Sequence, residues 1–225
     1  MISRILPVLA LVALEMAVSG QVVQPTPAPQ PRFEDTLSKS VLRITSQAVG
    51  IDGVLNGTGF VVQVPETRLE GNQVIVYLVT NRHVAKAIAP DASGRNVQHQ
   101  ITKMDAVVNL KAAVNGTNAK TISLPPMGPF QWHFPIDDTV DLAVIPFVMR
   151  DDYDAVQISV AAFFTSDLWA KYRIGPGDKV LTCGYFLHYA GAHRFQPIIR
   201  EGSLAMVPDD VMEVTQPPKS GPRRM

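Results

Sequence analysis

The sequence predicts an all-β protein, a barrel or sandwich of short strands, on three observations. Apolar runs of strand length recur between clusters of turn-forming residues. Gly57-Thr58-Gly59-Phe60-Val61-Val62 and Tyr77-Leu78-Val79-Thr80-Asn81-Arg82-His83-Val84 read as two strands, the second delivering His83 into a turn at its end. Leu142 to Phe147 is continuously apolar, as expected of a buried strand, and Asp137-Asp138-Thr139-Val140-Asp141 leads into it.

In chain order, Met1-Ile2-Ser3-Arg4 carries one positive charge, and Ile5 to Val18 is apolar apart from Glu15. Ala17-Val18-Ser19-Gly20 offers the small residues of a cleavage site, so residues 1–20 read as a secretory signal peptide. Glu15 leaves an uncleaved anchor or a mis-assigned start as the alternatives. The stretch is shorter than the ~20 residues a membrane span needs. After cleavage no stable membrane insertion is expected. Residues 21–32, with closely spaced prolines, form an extended linker.

Order is expected from Phe33. Phe33 to Lys39 suits a helical turn, and Val41 to Thr45 alternates as a first strand. Val54 to Val64 and Gln73 to Thr80 are the clearest strands. Ala106 to Val114 and Ala119 to Leu124 form a pair joined at Asn115-Gly116. After Leu142–Phe147 a short helix fits Ser166 to Tyr172. Gly175-Pro176-Gly177-Asp178 is a turn into a strand from Lys179 to Phe186, and Pro197 to Val207 reads as a strand bent at a glycine. The folded domain is expected to span 33–214, with a disordered tail at 215–225 that holds three prolines and adjacent arginines. No internal repeat is visible.

The chain has 225 residues, 46% of them hydrophobic, and a formal net charge of zero. That supports a full core and offers no clustered basic surface, so no nucleic-acid partner is expected. Cys183 is the only cysteine, which excludes an intrachain disulfide. A disulfide-free secreted chain suits a bacterial export route, to the periplasm or the medium. Asn56-Gly57-Thr58 and Asn115-Gly116-Thr117 are glycosylation sequons, yet in both places the Asn-Gly pair reads more simply as a tight hairpin turn.

Taken together, these segments resemble the trypsin-like serine peptidases, in particular the bacterial exported branch that includes the high-temperature-requirement proteases. The resemblance runs in order from about residue 41 to residue 207. It rests on Gly57-Thr58-Gly59-Phe60, Leu78-Val79-Thr80-Asn81-Arg82-His83-Val84 and Asp141-Leu142-Ala143-Val144. Gly177-Asp178-Lys179-Val180 through Gly184-Tyr185 follows, with Phe186 where the family has proline, and then Glu201-Gly202-Ser203-Leu204. The resemblance implies a chymotrypsin-like double antiparallel β-barrel whose first barrel carries His83 and Asp141. The second would begin after Phe147 and is incomplete here. It also implies a protein or peptide substrate and no cofactor.

In that chemistry a serine hydroxyl attacks the peptide carbonyl. The histidine takes its proton, a buried aspartate fixes the histidine tautomer, and backbone donors hold the oxyanion. His83 and Asp141 fit the histidine and aspartate roles, while Asp137 and Asp138 read as solvated charges. The family's Gly-x-Ser-Gly segment is not found. Ser220-Gly221-Pro222 echoes it without the preceding glycine, Ser203 lies in a strand, and Cys183 reads as a small buried hydrophobe. His99, His133, His188 and His193 lack metal-ligand spacing, so no metal is expected. The expected activity is serine endopeptidase chemistry with its nucleophile missing from this chain. The alternatives are an inactive protease-like domain that acts as a peptide-binding or scaffold protein and an unrelated β-barrel.

Overall fold

The computed structural model describes residues 32–68, 73–124, 131–186, 191 and 193–206. The expected signal peptide, most of the expected linker, His188, Ser220 and the expected disordered tail lie outside the described residues. Helix α1 (Phe33–Ser40) opens with Glu34 and Asp35 in its first turn and has Lys39 in its last, matching the charge of each helix end. It stops where the sequence turns to the β-branched alternation of strand β1 (Val41–Ala48).

The principal sheet is built from β1, β2 (Leu55–Pro65), β3 (Val74–Thr80), β6 (Ile101–Val114), β7 (Thr117–Leu124) and β8 (Ala143–Pro146). Its order is β7-β6-β1-β2-β3-β8, with every neighbouring pair antiparallel. The two-residue strand β9 (Ile158–Ser159) adds in parallel to β2 at Val62 and Gln63, beyond the point where β1 has left that edge. Between β3 and β6 the chain makes a four-residue helix, α2 (Arg82–Ala85), and a small pair, β4 (Ile88–Pro90) with β5 (Asn96–Gln98). Helix α3 (Ser166–Tyr172) precedes a second antiparallel pair, β10 (Lys179–Gly184) with β11 (Ile198–Ser203).

The all-β class and the strand order along the chain are therefore as the sequence predicts. Among the described residues no sheet closes into a barrel: the main sheet is open, with β7 and β8 at its ends. Two local expectations are corrected. Asn56-Gly57 is no turn but lies within β2, opposite Thr45 and Ile44, and Asn56 Oδ1 accepts hydrogen bonds from Nε and Nη2 of Arg43 at 3.1 and 2.8 Å. Gly202 introduces no bend; it pairs with Val180 in unbroken register. Asn115-Gly116 is the expected hairpin turn, both residues having positive φ, 51° and 78°.

The core collects one face of this sheet: Leu42 and Ile44 from β1, Val61 from β2, Leu78 from β3, Met104, Ala106 and Val108 from β6, and Ile145 from β8. Each is at most 1% exposed. Burial at alternate positions along β1 and β6 fixes the register, because a slip by one residue would turn this set to solvent. Gly59 faces Ile44 and Leu78 so closely that a β-carbon there would lie 2.8 Å from a Cδ1 of each and 3.1 Å from the carbonyl oxygen of Val79. Gly59→Ala is expected to lower stability by about 1–3 kcal/mol through overpacking. A urea midpoint unchanged from the unsubstituted protein would contradict this packing.

Candidate active site

β3 and β8 run antiparallel with Thr80 opposite Ala143. The end of one strand therefore lies beside the start of the other. The chain leaving β3 turns directly into α2, which carries His83, and Asp141 lies just ahead of β8. The sheet thus brings the two residues together.

The Asp141 carboxylate grips His83 twice. Oδ1 accepts the backbone N–H of His83 at 2.9 Å, and Oδ2 lies 2.6 Å from ring Nδ1. Asn81 Nδ2 donates to Oδ2 and to the carbonyl oxygen of Asp141, each at 3.2 Å. Burial works to raise the Asp141 carboxyl, but the backbone N–H, ring and charge of His83 outweigh it, with help from the Asn81 amide. The carboxyl is held below its ordinary range. An ionised carboxylate only accepts, so Nδ1 carries the hydrogen, and in the neutral form of the ring the lone pair is at Nε2. This is the tautomer a general base needs.

The expected buried aspartate is instead half open: the side chains of His83 and Asp141 are 54% and 49% exposed. Asp141 precedes its strand, and residues 136–142 run along the surface.

Two residues that the sequence reading quoted only as motif positions set the position of α2. Gly57 lies beneath it, where a β-carbon would come within 2.6 Å of Val84 Cγ1. Arg82, 7% exposed, ties α2 to the segment leading to Asp141. Its Nη1 pairs with Asp138, and Nη2 donates to the carbonyl oxygens of Pro135 at 2.6 Å and Asp137 at 3.3 Å. Asp138 is thus exposed yet paired, while Asp137 accepts the N–H and hydroxyl of Thr139 at 2.9 and 2.6 Å. A basic residue directly before His83 and two acids shortly before Asp141 were the available signal for this tie.

The second strand pair meets the main sheet in the same area. The backbone N–H of Tyr185, just after β10, donates to Thr58 Oγ1 at 2.9 Å, and Thr80 Oγ1 donates to the carbonyl oxygen of Thr58 at 2.8 Å. Arg43 lies over the Tyr185 ring at 4.9 Å.

The other candidates stay apart from the pair. Ser203 ends β11, exposed and opposite Lys179. Cys183 is half-buried opposite Ile199, and burial pushes its thiol up, away from the thiolate form. His133 exchanges backbone hydrogen bonds with Val144, His193 accepts at its carbonyl from Asn118 and Thr117, and His99 Nδ1 meets the Val49 carbonyl at 3.1 Å. Among the described residues no group of three or more histidine, cysteine or acidic side chains is placed to hold a metal. None gives His83 Nε2 a hydroxyl or thiol partner. No protein-family model matches the chain, and no curated protein or solved structure does either.

Gly57→Ala should push Val84 and α2 outward and lengthen the His83–Asp141 contact. The low-field Nδ1 proton resonance of His83 should then be lost, and its persistence would contradict the role given to Gly57. Because the folded-state value of Asp141 lies below its ordinary one, its contribution to stability is complete above the unfolded-state value and is lost as pH falls through the folded-state value. The difference in urea midpoint between the protein and Asp141→Asn should therefore be constant near neutral pH and shrink in acid. A difference indifferent to acid would contradict the pairing.

Proposed function

We propose that this chain carries the base-and-orienter half of a trypsin-like serine endopeptidase, with a serine outside the described residues as nucleophile. The observation that supports this most is the double grip of Asp141 on the backbone and ring of His83, which engages Nδ1 and leaves Nε2 as the ring nitrogen not held by Asp141. The order of Gly57-Thr58-Gly59, His83, Asp141 and Gly184-Tyr185 along an all-β chain adds to it. On this reading the open sheet from β7 to β8 corresponds to the first barrel of the chymotrypsin-like fold, and β10 with β11 begins the second. Export through the N-terminal segment belongs to the same proposal.

The chemistry assigned to the pair is as follows. The serine hydroxyl adds to the carbonyl carbon of the substrate while its proton passes to His83 Nε2, and the Asp141 carboxylate stabilises the resulting imidazolium. The tetrahedral adduct expels the amine, which takes that proton. Water then releases the acyl group by the same route in reverse. Asp141→Asn would favour the wrong tautomer, a loss of about 10⁴ in kcat where such a pair operates.

A second reading, a peptide-binding domain without hydrolysis, is favoured by the lack of a hydroxyl or thiol on Nε2 among the described residues. One experiment separates the two. A fluorophosphonate probe should label a form of the protein that carries the serine motif, and labelling should be lost in its His83→Ala variant. A well-folded chain that resists the probe yet holds peptides would replace the first reading with the second.

A further inference from the structure

A cavity of about 630 Å³ opens beside α2, bounded by both chain segments that carry the His–Asp pair. Ala85 and Lys86, at the end of α2, form one wall, and Trp132 and Phe134, on the run leading to Asp141, form another. Gln98, His99 and Gln100 close the third side.

Its electrostatics are one-sided. Lys86 is the one lysine, arginine or acidic residue among the described lining residues, and its Nζ lies 4.7 Å over the Phe134 ring with no carboxylate partner among the described residues. The acids nearest in sequence on the adjoining segment are already engaged, Asp138 by Arg82 and Asp137 by Thr139. His99 meets only a carbonyl acceptor at Nδ1, so that nitrogen carries hydrogen, while Nε2 is buried without a partner, as is Trp132 Nε1. A pocket with an aromatic floor, an unpaired ammonium and, among the described residues, no acid complements a group that is apolar along its length and anionic at its tip.

We propose that this cavity is a subsite for an acidic side chain of a bound peptide, glutamate or aspartate, with its methylenes on Trp132 and Phe134 and its carboxylate on Lys86. The inference rests on the peptide-binding part of the proposed function and not on the serine chemistry. It makes Lys86 a specificity-determining residue for peptides that reach the His83–Asp141 pair.

The structure supplies its own probe. The chain has two tryptophans, so Trp169→Phe leaves Trp132, in the cavity wall, as the sole indole emitter. In that background, two blocked hexapeptides differing only in a central glutamate or glutamine would be titrated against Trp132 fluorescence. The glutamate peptide should bind roughly tenfold more tightly, the scale of one charge-assisted hydrogen bond. Lys86→Glu should reverse the preference and Lys86→Arg should keep it, with circular dichroism confirming that each variant is folded. Equal affinities, a preference untouched by Lys86→Glu, or no saturable signal from either peptide would overturn the subsite. Fluorophosphonate labelling distinguishes the two inferences. A labelled chain without the glutamate preference loses only the subsite, whereas an unlabelled chain that keeps the preference loses only the serine chemistry.

Discussion

The pairing of β3 with β8 is the constraint on which the candidate site depends. His83 and Asp141 are 58 positions apart, and nothing local brings them together. The driving force is burial on the two strands: Leu78 is fully buried and Ile145 is 1% exposed, opposite each other in the ladder. Replacing either with alanine would empty the core beneath the pair at a cost of about 2–5 kcal/mol. The site's geometry is thus set from the apolar face of the sheet, and the polar groups at its edge adopt positions that the core has already fixed.

The helical turn that follows converts this pairing into a usable orientation. A helix of four residues has no stability of its own. It persists because Gly57 lets Val84 settle on β2 and because Arg82 crosses to the carbonyl oxygens of Pro135 and Asp137. These contacts act on the two sides of the same turn. One sets its height above the sheet and the other its distance from the segment carrying Asp141. The carboxylate then needs only to accept the two N–H groups of His83 that the turn presents.

How much of this was legible in the sequence follows from the range of each interaction. Val41–Ala48 read directly because burial of one face is written in its local alternation, and Val74–Thr80 because its run of apolar residues has strand length. Asn115-Gly116 also read directly, since its turn needs positive φ at adjacent residues. Asn56-Gly57 misled because the same dipeptide is held in a strand by partners distant in sequence: Arg43 on the asparagine and Val84 over the glycine. The Arg82 tie was legible only in part: the arginine and the acids before Asp141 signalled a pairing, but its other acceptors are backbone oxygens that no residue type advertises. His83 and Asp141 were found as a pattern, but their solvent exposure depends on where the chain runs before β8.

That exposure bears on what the pair can do. A polar pair open to water on both partners contributes little stability, because solvent screens the attraction. Its organisation here is therefore better understood as positional than as stabilising. Asp141 spends both oxygens on one residue, and Asn81 fixes the carboxylate from behind, so the ring is oriented before anything binds. A base so oriented gains strength only when water is displaced from around it, since the imidazolium it forms is then stabilised by a carboxylate in a lower dielectric. The exposed side of His83 is thus the direction from which a covering segment or substrate must come. The adjoining cavity, with Lys86 at its edge and Trp132 in its wall, gives such a segment a place to anchor. On the proposed reading, binding in the cavity and desolvation of the pair would be one event, and recognition of a peptide would be tied to the strength of the base.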